Sequence, residues 1–159
     1  MRRLVSVAIP LAILFLSAIP SLAQERSPEA QRLDAFVGNW TYDDIEGETE
    51  CELLGDYIVH CTSAWTTDAG NPVEAVFLVR YDTEAEVYWG HRFYSGGYAD
   101  SGLGWVEGDT WTFVYEGPAG TRFRMTSIVS RDTWKYVWHR SVQGGAWEQT
   151  SEGSATRVR

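Results

Sequence analysis

From Asn39 onward, apolar and polar residues alternate in short runs, and a cluster of turn-forming residues interrupts them about every ten positions. The alternation predicts strands over 39–45, 48–54, 57–66, 73–81, 86–94, 98–106, 110–116, 121–129, 133–141 and 146–158. The links between them are short and rich in glycine, as at Glu46-Gly47, Gly55-Asp56, Gly96-Gly97, Gly108-Asp109 and Gly117-Pro118-Ala119-Gly120. Links this short join antiparallel neighbours, so the expected order is a simple meander with no helical crossover. An open meander leaves two unpaired edges, and joining them removes both. The fold class expected is therefore all-β, a single closed antiparallel up-and-down barrel of about ten strands with a short N-terminal helix.

The same alternation assigns faces. Glu48, Glu50 and Glu52 share one face of the second strand and Thr49, Cys51 and Leu53 the other, so the glutamates face water. A two-residue turn at Glu46-Gly47 would set Tyr42 opposite Cys51 and Trp40 opposite Leu53, with both rings inward. Phe77, Val79 and Tyr81, then Trp111, Phe113 and Tyr115, then Trp134, Tyr136 and Trp138 form further apolar sets. Eight tryptophans and eight tyrosines exceed the needs of a small core, so some rings are expected to line a cavity. Tyr42, Phe77, Trp89, Tyr136 and Trp138 are the lining residues expected, with Trp40 structural. His91 shares a face with Val87, Trp89 and Phe93 and is expected inward as a polar contact. His60 falls on the glutamate face, and His139 alternates with the aromatic set of its strand, so both are expected to face outward.

Ahead of the strands, Ser27-Pro28-Glu29 reads as a helix start, with Leu33, Phe36 and Val37 as its buried stripe and Gly38 as its end. Met1-Arg2-Arg3, the apolar run Leu4 to Leu16 and the small-residue exit Ser21-Leu22-Ala23 have the layout of a cleaved signal peptide. The expected organisation is a signal peptide over 1–23, a leader with its helix over 24–37 and the barrel over 38–159. Export places the protein in a bacterial periplasm or the surrounding medium. No later stretch is apolar enough to span a bilayer, so no stable membrane insertion is expected.

The charge changes the list of partners. The chain carries 13 Lys+Arg against 22 Asp+Glu, a formal net charge of −9, and cleavage would remove Arg2 and Arg3 to leave −11. An acidic surface repels phosphate backbones, so nucleic acid is excluded as a partner. The acid run Asp43, Asp44, Glu46, Glu48, Glu50 and Glu52 lacks the glycine-anchored spacing of a calcium loop and reads as a solvated face, so no metal is expected. Cys51 and Cys61 flank the turn around Gly55-Asp56. A three-residue loop would set them directly opposite each other on one face, within reach of a disulfide in an oxidising compartment.

The stretch Phe36-Val37-Gly38-Asn39-Trp40 resembles the Gly-x-Trp opening of the lipocalin and calycin barrels, and Tyr81-Asp82, Tyr88 to Phe93 and Gly108-Asp109-Thr110-Trp111 extend the pattern. Over roughly residues 30–159 the chain resembles the bacterial lipocalin-like domains of unknown function related to nitrobindin and the fatty-acid-binding barrels. That resemblance implies a barrel holding a small hydrophobic molecule and implies no reaction. Nitrobindin-like barrels bind haem through a histidine near the chain end. Nothing after His139 serves here and the glycine-rich run after Gly-x-Trp is missing, so no cofactor is expected. Fatty-acid-binding barrels hold a carboxylate with inward arginine and tyrosine, and Arg140, on the face of Trp134, Tyr136 and Trp138, is the first candidate for that role. Arg92, on the face of Tyr88 and Tyr94, is the second. Three function classes stay open. The first is an exported binder of a small hydrophobic ligand. The second is an isomerase- or cyclase-type enzyme using His91, Arg140 and a tyrosine in the same cavity. The third is an envelope accessory protein whose barrel is filled.

Overall fold

The computed structural model describes residues 25–158; the proposed signal peptide lies outside the described residues. Ten strands run in chain order as β1 (Gly38–Tyr42), β2 (Gly47–Leu54), β3 (Ile58–Thr66), β4 (Pro72–Asp82), β5 (Val87–Tyr94), β6 (Ala99–Glu107), β7 (Thr110–Glu116), β8 (Thr121–Val129), β9 (Thr133–Val142) and β10 (Glu148–Arg157). Every pairing is antiparallel between chain neighbours, and β1 pairs with β10 to close the barrel. Among the described residues no helix is long and apolar enough to cross a membrane.

The helix α1 (Pro28–Arg32) starts where its residue types favour it. The Ser27 hydroxyl accepts from the Ala30 amide at 3.1 Å, and Pro28 occupies the first turn, where its missing N–H costs nothing. A 3₁₀ turn over Leu33–Ala35 follows. Ala30, Leu33 and Phe36, three residues apart, point together into one end of the barrel and are buried. The Tyr88 hydroxyl donates to the Glu29 carbonyl at 2.9 Å and ties the cap to β5.

The closed end is built around Trp40. Its ring is 1% exposed, its indole N–H donates to the Phe36 carbonyl at 2.8 Å, and the Arg157 guanidinium lies 4.0 Å from the ring centroid. Arg157 also donates to the Ala35, Val37 and Arg131 carbonyls, so one side chain fastens β10 to the entry of β1 and to the β8–β9 turn. Gly38 makes this possible. Its φ is 133°, outside the range of ordinary side chains, and a Cβ there would meet Arg157 Nη1 at 2.5 Å.

Two expectations about strand ends change. β1 stops at Tyr42 rather than 45, and Trp40 pairs with Thr49, not Leu53. The cause is Asp43 and Asp44. The Asp43 carboxylate accepts from the Ser154 and Thr156 hydroxyls at 2.6 and 2.9 Å, and that of Asp44 from the Ser154 amide at 3.0 Å. These bonds to β10 draw the chain out of its pairing with β2 and lengthen the turn. The slip is of four residues, an even number, so each side chain keeps its face.

Cys51 and Cys61 pair directly in the β2–β3 register, as do Leu53 and Val59, and the two sulfurs are joined in a disulfide with Cα atoms 4.1 Å apart. Both cysteines are buried inside the barrel. Replacing them together, Cys51→Ser with Cys61→Ser, should lower unfolding free energy by about 2–3 kcal/mol, the loop-closure contribution for a link this short. A chemical denaturation series checks it, and an unchanged midpoint would show that the cross-link adds nothing.

Candidate ligand cavity

Inside the barrel, the end opposite the helix is hollow. A cavity of about 460 Å³ lies between walls that include Phe77 and Val79 of β4, Tyr94 of β5, Tyr115 of β7, Phe123 and Met125 of β8, and Tyr136 and Trp138 of β9. Its floor is formed by Phe36, Phe113 and Trp134, and Phe36 meets Trp134 edge-on at 5.2 Å and Trp111 at 4.8 Å. Its lining also includes Ile45, Trp65, Tyr98, Thr150 and the carboxyl-bearing Asp44 and Glu152.

Glycines shape one wall. Gly90, Gly102 and Gly104 lie on the inner face of β5 and β6, with Gly90 paired to Gly102. A Cβ at Gly104 would come within 2.5 Å of the Phe113 ring, and one at Gly90 within 2.9 Å of the Tyr115 hydroxyl. The missing side chains are the space into which the β7 rings lean.

Against this wall sits a buried ion pair. Arg92 Nε donates to Asp100 Oδ1 at 2.7 Å and its Nη2 to Asp100 Oδ2, and the side chains are 6% and 0% exposed. The Tyr98 hydroxyl donates to the same Oδ2 at 3.0 Å. The guanidinium lies against two rings, 3.8 Å from the Tyr115 centroid and 4.5 Å from that of Trp138. Burial alone would lower the Arg92 pKa, but the Asp100 hydrogen bonds and the nearby tyrosines more than offset it, and the net shift is upward. On the β1–β3 wall, hydroxyls form a chain from Tyr42 through Thr49 to Ser63, each step 2.7 Å.

The cavity gathers Tyr42, Phe77, Tyr136 and Trp138 from among the residues expected to line it. It does not gather Trp89, His91 or Arg140. Trp89 and His91 lie on the outer face of β5, ring against ring at 6.2 Å, and His91 Nδ1 is 2.8 Å from the Ser101 hydroxyl. The inner face carries Tyr88, Gly90, Arg92 and Tyr94 instead. Gly90 leaves a gap in the inward series, and this made Val87, Trp89 and Phe93 read as the apolar side. Arg140 has the phase of Trp138 but stands at the end of β9, paired with Glu148 and exposed, beyond the cavity lining. The acidic partner Asp100 escaped the sequence reading altogether. Its signal was its pairing with Arg92 across the Tyr94–Ala99 hairpin. His60 faces outward, 3.5 Å from Glu52.

The fold has solved relatives. The crystal structure of Rv2717c from M. tuberculosis matches it with a TM-score of 0.61 at 15% identity, covering 85% of this chain and 100% of that one. At that identity the likeness concerns the fold alone. No family profile and no curated protein matches the chain.

The buried polar groups of the barrel interior carry two testable consequences. Arg92→Met strands the Asp100 carboxylate in the interior and should cost about 3–5 kcal/mol, while adding Asp100→Leu should recover much of that loss. Equilibrium unfolding of the single and double variants tests the coupling, and additive losses would refute it. The second concerns alkali. Burial foremost holds the Tyr88, Tyr94 and Tyr136 hydroxyls up at about 12, against 10.0 for a free tyrosine. Folding thus favours the protonated form, and the stabilisation is whole below pH 10.0 and lost as pH rises through about 12. Absorbance titration near 295 nm (roughly the phenolate band) should show these rings ionising late and together with unfolding. Uniform titration of every tyrosine near the free value would contradict it.

Proposed function

We propose that the chain is an exported lipocalin-like barrel that binds a small, largely apolar ligand in its aromatic interior. The observation that carries this reading is the cavity, about 460 Å³ inside a barrel whose other end is packed shut. That size falls within the roughly 300–1,000 Å³ of small-molecule sites, which are mostly apolar with a few fixed polar groups. The Cys51–Cys61 disulfide suits an oxidising destination, in keeping with the signal peptide read from residues 1–23. The lipocalin-like assignment is supported by the Gly38-Asn39-Trp40 opening and by the buried Trp40 ring at the closed end.

The competing classes lose ground on particular residues. A filled barrel is at odds with the cavity. An isomerase or cyclase built on His91 loses its proton-transfer group, because His91 faces outward and lies beside Ser101. Native mass spectrometry of the protein released from its own host without denaturant should reveal a non-covalent apolar adduct that organic extraction removes. Only ligand-free protein, together with no binding of the neutral dye Nile red, would refute the proposal.

A further inference from the structure

Resting on the ligand-binding reading above, we infer that the cavity selects uncharged lipophiles bearing a hydrogen-bonding head and rejects carboxylates, even though an arginine lies in its wall. An arginine captures a fatty-acid carboxylate when its own charge is free and its fork is open. Here the charge is not free, because Asp100 balances it. Asp100 holds the Nε–Nη2 edge, so that side of the guanidinium is filled. What Arg92 has left is Nη1, without a hydrogen-bond partner among the described residues, on a side chain that lines the cavity. Donors with no net charge behind them suit a carbonyl or hydroxyl oxygen.

The surroundings point the same way. Tyr94, Tyr115 and Tyr136 line the cavity, and their hydroxyls have no hydrogen-bond partner among the described residues. Burial foremost raises the pKa of each, so they remain neutral groups able to donate or accept. Asp44 and Glu152 also line the cavity, and the whole chain carries −9. A carboxylate entering would give up its water, pass two like charges and meet an arginine that is already paired. Dehydration of an ion without a compensating partner outweighs what a single extra hydrogen bond returns. A neutral head group avoids that cost and still gains the donor.

Competition against Nile red at about pH 8, where dodecanoic acid is ionised, tests the inference with two probes of equal chain length, dodecanol and dodecanoate. Dodecanol is expected to bind at least about tenfold tighter than dodecanoate. In Asp100→Asn, which leaves the guanidinium charge unbalanced, dodecanoate should gain at least about tenfold relative to dodecanol. Equal or tighter binding of dodecanoate by the native protein overturns the selectivity and leaves the ligand-binding reading standing. So does a folded Asp100→Asn protein with an unchanged ratio. If that variant does not fold, the native ratio decides alone. If neither probe nor the dye binds, the ligand-binding reading falls and takes the selectivity with it.

Discussion

The closure of β1 onto β10 is the constraint from which everything else in this molecule descends. A sheet with free edges has two equivalent faces, and a closed one has an inside of fixed, small volume. Three residues of β1, Trp40 to Tyr42, pair with β10 across that seam, and backbone pairing over so short a stretch is reinforced by Arg157. Its guanidinium covers the Trp40 ring while its nitrogens satisfy carbonyls of the segment leading into β1 and of the β8–β9 turn. The charge is delocalised and its donors are spread in a plane, so one side chain can stack and hydrogen-bond at once. Gly38 gives it the room.

With the seam closed, the helix and the Phe36, Trp40, Trp111 and Trp134 rings fill one half of the interior, and the other half is left with walls but no plug. Packing density does not permit accidental voids of this size in a natural core, so the hollow half calls for a function. The glycine stripe on β5 and β6 lets Phe113 and Tyr115 lie flat against the sheet, which both fills the floor and keeps the centre open. The same flattened ring of Tyr115 provides one of the two faces that hold Arg92 in place for Asp100. Shape and electrostatics of the site thus share one origin in three residues without side chains.

Much of the architecture was legible in the alternation. Strand number, meander order, the outer glutamate face of β2 and the Cys51–Cys61 pairing all follow from period two and turn spacing. The site was legible only where the inward series was unbroken. β4 and β9 carry continuous apolar residues on the inner face, and Phe77, Tyr136 and Trp138 were read in the right phase. β5 presents Gly90 at a central inward position and large rings outside, and there hydrophobicity pointed the wrong way for Trp89 and His91. A rule that rewards apolar side chains cannot register a position kept empty so that a ring from another strand can enter. Arg140 shows a different limit, since alternation gives the face of a residue and not its height along the barrel axis. Asp100 became meaningful only through its cross-strand partner.

The central claim is that the half of the barrel opposite the helix is an open apolar chamber. A crystal structure determined under xenon pressure tests it most directly, because xenon enters dry apolar space and scatters strongly. The account predicts bound xenon inside the barrel, in contact with Phe77, Val79 and Met125. Ordered side chains meeting across that space with no interior xenon would contradict it.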